Sequence, residues 1–133
     1  MNDNNLKSII NDLKSLKQAG GVDASTIKAA EDTLNLKFAD DYVEYLEAYG
    51  QIEAHGIELT GLSKSKSTSV VELTIRERNL GTMPDGFYVI EDLGMDGIIY
   101  AQNYKGEIVE LAPHQTPTKY AKSLQEYIAK SQQ

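Results

Sequence analysis

His55 and His114 are the only histidines, and there is no cysteine. A zinc or copper site needs several nitrogen or sulfur ligands at short spacing, and neither histidine has a second one nearby. Oxygen ligation would remain, but no EF-hand loop supplies it. The serines lack a nucleophile elbow, and no Ser-x-x-Lys context holds up, because Ser63 to Lys66 is a flexible loop by composition. Gly94-Met95-Asp96-Gly97 is turn chemistry, in which glycine supplies positive φ, and not a phosphate-binding loop. Carboxylates are the one catalytic raw material in quantity. Asp40/Asp41 and Glu91/Asp92 are adjacent pairs, yet neighbours on a helix or a strand point in different directions. Neither pair makes a ready acid–base couple. No catalytic, metal or cofactor site is expected.

Eight tyrosines are the other notable resource. Tyr42, Tyr45 and Tyr49 recur with Leu46 at helical spacing, which predicts a core stripe with hydroxyls reaching polar partners at its edge. Tyr88, Tyr100 and Tyr104 fall in or near expected strands. Any that face solvent would anchor a protein interface, where tyrosine is enriched.

The net charge is −7 over 133 residues, and its distribution is uneven. Phe38 to Ser63 contains six acids and no Lys or Arg. Asn79 to Tyr104 contains four acids and again no base. Those stretches carry −10, leaving +3 for the remainder. Such a surface repels phosphate backbones, so direct nucleic-acid binding is disfavoured. It attracts a basic partner and speeds the encounter. The absence of cysteine fits a reducing compartment, the polar N-terminus lacks a signal-peptide layout, and no apolar run approaches a membrane span. A soluble cytoplasmic protein with no membrane partner is the expectation.

The elements that must carry these residues can be read from periodicity. Leu6, Ile9, Ile10, Leu13 and Leu16 predict an amphipathic helix over about Asn4 to Gln18, ended by Gly20-Gly21. Asp23 or Ser25 caps a second helix bearing Ile27, Ala30 and Leu34. A third runs from about Ala39 to Tyr49, with Asp40 and Asp41 in its first turn and Gly50 beyond its end. Gln51 to Ala54 and Gly56 to Leu62 read as a hairpin turning near His55-Gly56. Val70 to Arg78 alternates like a strand, yet Ser69 and Glu72 have the spacing of a helix capping box. Phe87 to Ile90 is a short apolar run suited to a central strand. Ile98 to Asn103 and Ile108 to Leu111 follow as strands, and Pro113 and Pro117 are expected to close the sheet region. A last helix carries Tyr120, Leu124, Tyr127 and Ile128, with Thr118 or Ser123 as its cap. The chain is expected to be one domain, 1–133. Its class is α+β: a mainly antiparallel sheet with the N-terminal helices and a C-terminal helix packed on it.

Several segments in this order resemble the SUKH superfamily, which includes bacterial immunity proteins and fungal cell-wall-synthesis regulators. They are Glu31 to Phe38 running into Asp41-Tyr42-Val43-Glu44-Tyr45-Leu46 and Tyr49-Gly50, then Gly56 to Leu62, and Ser69 to Thr74 with Arg76 or Arg78. Pro84, Phe87 to Ile90, Gly94 and Asp96 to Ile98 follow, and last Ser123 to Ile128. The similarity spans Ile27 to Ala129. Ala39 stands where the family usually has proline, and Tyr100 to Asn103 replaces a Leu-Asp-Thr-like continuation. The resemblance favours a helix over Val70 to Arg78.

It also implies a function. The chain would be an immunity protein that binds and neutralises a cognate bacterial toxin, of nuclease type, by presenting an acidic surface. The alternative is a regulatory or scaffolding protein-binding module of the same fold with a housekeeping partner. Glu44 and Glu47 lie opposite the third helix's apolar stripe, and Glu58 alternates with Ile57 and Leu59. With Glu91, Asp92 and Asp96 they form the candidate partner-binding set. A monomer or weak dimer is expected.

Overall fold

The computed structural model describes residues 5–133. The first helix, α1 (Leu6–Asn11), is capped by Asn5, whose side chain accepts the Ser8 N–H at 2.8 Å. It is shorter than its periodicity predicts, and the expected start at Asn4 lies outside the described residues. After α1 the chain turns through Ser15, at φ 60°, into a short strand, β1 (Lys17–Gln18), paired with β2 (Ile52–Ala54). Strand pairing overrides the helical pattern there, while Leu13 still reaches the core. Asp23 caps α2 (Ala24–Leu34), and Gly50 at φ 74° ends α3 (Asp40–Tyr49). β2 turns into β3 (Ile57–Glu58), and these strands complete a three-stranded antiparallel sheet. Ser69 caps α4 (Val70–Asn79), which resolves the strand–helix ambiguity of that segment.

The second sheet is a four-stranded antiparallel meander in the order β4 (Tyr88–Asp92), β5 (Ile99–Gln102), β6 (Ile108–Leu111) and β7 (Thr118–Ala121). β7 is a correction to the expectation that Pro113 and Pro117 close the sheet. The chain continues past both prolines into an edge strand, so Tyr120 sits on β7 and not on a helix. Ser123, not Thr118, caps α5 (Leu124–Ser131): its hydroxyl accepts the Glu126 N–H at 3.1 Å, and the Glu126 carboxylate accepts the Lys122 N–H at 2.8 Å. The architecture is α+β, with helices packed on sheet, and the sheet is split in two.

The larger sheet has two differently covered faces. Its inner face, with Tyr88, Tyr100 and Ile108, joins α1, α2, α3 and α5 in the main core. The outer face, with Val89, Ile99, Ala101, Val109 and Leu111, packs with Leu73 of α4, Met83 and Phe87. α4 runs beside β4, where the Thr74 hydroxyl accepts the Val89 N–H at 3.0 Å. On the side of β3, the Thr60 N–H donates to the Ile90 carbonyl at 2.8 Å, and the Thr60 hydroxyl donates to the Val89 carbonyl at 2.8 Å. Threonines thus satisfy a strand that lacks a full ladder on that side.

Candidate functional site

The tyrosine stripe of α3 is core, as its spacing predicts. Tyr42 donates to the Thr60 hydroxyl at 2.8 Å, because that hydroxyl's own proton goes to Val89. Tyr45 donates to the Thr60 carbonyl at 2.7 Å and accepts the Ile52 N–H at 3.0 Å. Tyr88 donates to Gln102 at 2.8 Å and accepts the Ala39 N–H at 2.9 Å. Ala39 offers no side-chain cap, so a tyrosine from the sheet satisfies the start of α3. Burial pushes the Tyr42, Tyr45 and Tyr88 phenols well up from their usual range. Tyr88 and Tyr100 are buried and cannot act as surface anchors; Tyr104, in the β5–β6 turn, is 61 % exposed.

The six candidate carboxylates meet different fates. Glu44, Glu47 and Glu58 are exposed, as the alternation and helical angles predict. Among the described residues none of the three enters a salt bridge. Glu58 stands directly across from Glu53 in the β2–β3 register, and Glu53 faces Lys17 of β1. Two like charges opposite each other on a hairpin oppose its pairing, and Lys17, across from Glu53, carries the opposite sign. The charge pattern marked Glu53 as acidic, but only the register shows that it neighbours Glu58.

Glu91 is a correction. It is 6 % exposed and is no surface contact. A bulge between Val89 and Glu91 makes Ile90 an extra residue and sets Glu91 opposite Tyr100, on the inner face. One of its oxygens accepts the Glu58 N–H at 2.8 Å, and the other accepts the Tyr127 hydroxyl. Burial raises its pKa, partly offset by those two hydrogen bonds. Burial and the adjacent Glu91 charge push the Tyr127 phenol far up.

Asp92 follows Glu91 and points to the outer face, opposite Ile99. Arg76 of α4 reaches it at 2.8 Å and also holds Glu77 at 2.8 Å. Asp96 is exposed in the β4–β5 turn at φ 55°. α3 covers the inner side of the sheet and Asp92 belongs to the other, while Glu58 of the first acidic stretch adjoins Glu91 of the second through its N–H. Asp41 has a role beyond α3's dipole. Its carboxylate accepts the Leu124 N–H of α5 at 2.8 Å and a Gln102 amide N–H at 3.0 Å.

His55 and His114 both lie in turns and are exposed. Among the described residues no group of three or more His, Asp or Glu side chains is arranged to hold a metal ion, and no helix is long and apolar enough to cross a membrane. Glu44, Glu47 and Glu58 leave three carboxylates at the surface.

A comparison with curated proteins finds no match. A family model, SUKH_5, described as SMI1-KNR4 cell-wall, matches residues 6–132. That range runs from α1 through α5 and extends the similarity well before Ile27, to the first described helix. The chain thus belongs to the SUKH (SMI1-KNR4) family.

Proposed function

We propose that this chain is an immunity protein: it binds a cognate protein toxin, of nuclease type, and blocks it by occupancy, without turnover. Membership of the SUKH family is compatible with immunity or cell-wall-related roles. The observation that carries the reading is the set of exposed carboxylates Glu44, Glu47 and Glu58, which enter no salt bridge among the described residues. They perform no evident folding task, and Glu58 sits opposite Glu53 at a cost to the hairpin. A basic nuclease surface, built to hold phosphates, is the complementary partner. Glu91 is excluded from this surface by burial, and Asp92 is committed to Arg76.

Capture from the source organism, with the chain as bait beside its Glu44→Lys/Glu47→Lys/Glu58→Lys variant, tests the reading. The expected prey is a basic toxin that the parent retains and the variant loses, with growth restored when parent and toxin are co-expressed. A prey that is a cell-wall-synthesis protein would instead support a regulatory or scaffolding module, the reading that the family's cell-wall description favours.

A further inference from the structure

One of the three exposed carboxylates is bonded to the interior through its own backbone. β3 and the residues after it run beside β4. The Thr60 N–H donates to the Ile90 carbonyl at 2.8 Å, and two residues earlier the Glu58 N–H donates to the Glu91 carboxylate at 2.8 Å. Glu58 thus faces two ways: it is exposed to a partner, and its peptide group touches a buried acid. Several titratable groups face that acid. Glu58 does so from β3, Tyr127 from α5, Tyr100 from β5 and Tyr45 from α3. Beyond them, Glu110 accepts the Tyr100 hydroxyl at 3.0 Å, and Tyr120 packs on Tyr100 and Tyr127 with Lys130 over its ring at 4.1 Å. Arg76 lies on the outer face of the sheet, where Asp92 and Glu77 hold it. None of the groups that bear on Glu91 is a cation.

Burial makes Glu91 hold its proton to higher pH than usual. The Glu58 N–H and the Tyr127 hydroxyl oppose this, and the negative charge of Glu58 adds to it. That last contribution is the one a partner can change. A lysine or arginine set against Glu58 cancels its charge, so the ionised form of Glu91 gains and its proton leaves to water. The ionised carboxylate is also the stronger acceptor for the Glu58 N–H, so the hairpin is then held more firmly to β4. Coupling of this kind is reciprocal: whatever favours the charged carboxylate also favours the bound cation.

We propose that a cation docking on Glu58 releases the proton of the buried Glu91, so that partner binding at this surface is linked to proton release. The inference rests on the reading of Glu58 as a partner contact and extends it from a surface to a regulated one. Acidification then weakens binding through Glu91 as well as through the exposed carboxylates, because the partner must displace a proton that the interior holds.

Titration of the Glu91 carboxyl carbon by NMR, in the full chain, tests it. The parent is compared with Glu58→Gln and Glu58→Lys. Residue 58 meets Glu91 through its backbone, so both substitutions keep that hydrogen bond. Glu58→Lys brings a cation to the position without any partner, and it also removes the like-charge pair with Glu53. The Glu91 midpoint should move to lower pH in Glu58→Gln and further in Glu58→Lys, with the remaining amide spectrum as in the parent. Hexalysine peptide, added to the parent at low ionic strength, should shift the amides of Glu44, Glu47 and Glu58 and move the Glu91 midpoint in the same direction. Equal midpoints in the three proteins, or a move to higher pH, overturn the proposal. So does hexalysine that shifts those amides and leaves the Glu91 titration in place. Hexalysine that shifts none of them counts against the surface reading itself, and the two variants then decide the linkage alone.

Discussion

The Tyr127 hydroxyl donates to one oxygen of Glu91, and the other oxygen of that carboxylate accepts the Glu58 backbone N–H. One buried side chain thereby ties α5 and β3 to β4, at the bulge where the ladder of the larger sheet is interrupted. The carboxylate stands in for a strand carbonyl and joins the two sheets. A residue that looked like surface charge is a structural fastening.

That fastening should make stability depend on pH in a defined direction. Burial holds the Glu91 pKa above its ordinary 4.5, so the folded state binds this proton more tightly than the unfolded chain. The contribution of Glu91 to stability is then greatest below about 4.5 and declines as pH rises through the folded value. Glu91→Gln keeps an acceptor for the Glu58 N–H, reverses the Tyr127 bond so that the amide donates to the phenol oxygen, and cannot titrate. Urea midpoints measured from pH 4 upward should show the parent losing stability relative to this variant as pH rises. Parallel curves would remove burial as the governing effect.

Glu91→Ala should behave differently. It strands the Glu58 N–H and the Tyr127 hydroxyl, both turned toward the interior, at a cost of about 1–3 kcal/mol for each group left unsatisfied. Denaturant unfolding reads this directly. An unchanged midpoint would mean that water or a neighbour replaces the carboxylate.

Leu46 is fully buried between the tyrosines of α3, within the main core. Leu46→Ala should cost about 2–5 kcal/mol, the range for a buried leucine whose cavity collapses only in part. A loss below about 1 kcal/mol would show that the site repacks around the gap.

Gly50 ends α3 at φ +74°, and a Cβ there would lie 2.0 Å from the Gly20 carbonyl oxygen. Gly50→Ala must therefore shift backbone as well as adopt a strained dihedral. The expected loss is at least the roughly 1–3 kcal/mol of a strained φ alone. A neutral variant in thermal unfolding would mean that the 19–21 loop moves aside freely.

The proposed mode of action requires no turnover. Purified chain, with or without divalent metals, should leave nucleic acid, nucleotides and peptides intact. Cleavage abolished by one carboxylate substitution would refute blocking by occupancy.

Where sequence signals are local, they located the elements well. Asp23, Ser69 and Ser123 cap helices through bonds three residues long, and Gly50 closes α3 for a reason visible in one residue. The Tyr42/Tyr45/Leu46/Tyr49 stripe and the exposure of Glu44, Glu47 and Glu58 follow from helical angles and strand alternation. Features set by distant chain were not legible. α1 stops at Asn11 because Lys17–Gln18 pairs with a strand some 35 residues later. β7 holds little apolar alternation and lies just past Pro117, so only its pairing with β6 identifies it. Glu91 faces inward because a bulge shifts its register, and Glu53 neighbours Glu58 through a hairpin register that spacing alone leaves undefined.

The central claim is that Glu44, Glu47 and Glu58 steer and hold a basic partner. Its most direct test is the association rate constant of the captured partner with the parent and with Glu44→Lys/Glu47→Lys/Glu58→Lys, measured across ionic strength. Both proteins should unfold at similar urea midpoints, since these exposed side chains enter no salt bridge among the described residues. At low salt the variant should associate at least about tenfold more slowly, and the gap should narrow as added salt screens charge beyond roughly 8–10 Å. Equal association rates at every salt concentration, with equal protection of toxin-expressing cells, would contradict the claim and leave these carboxylates as a solubility device.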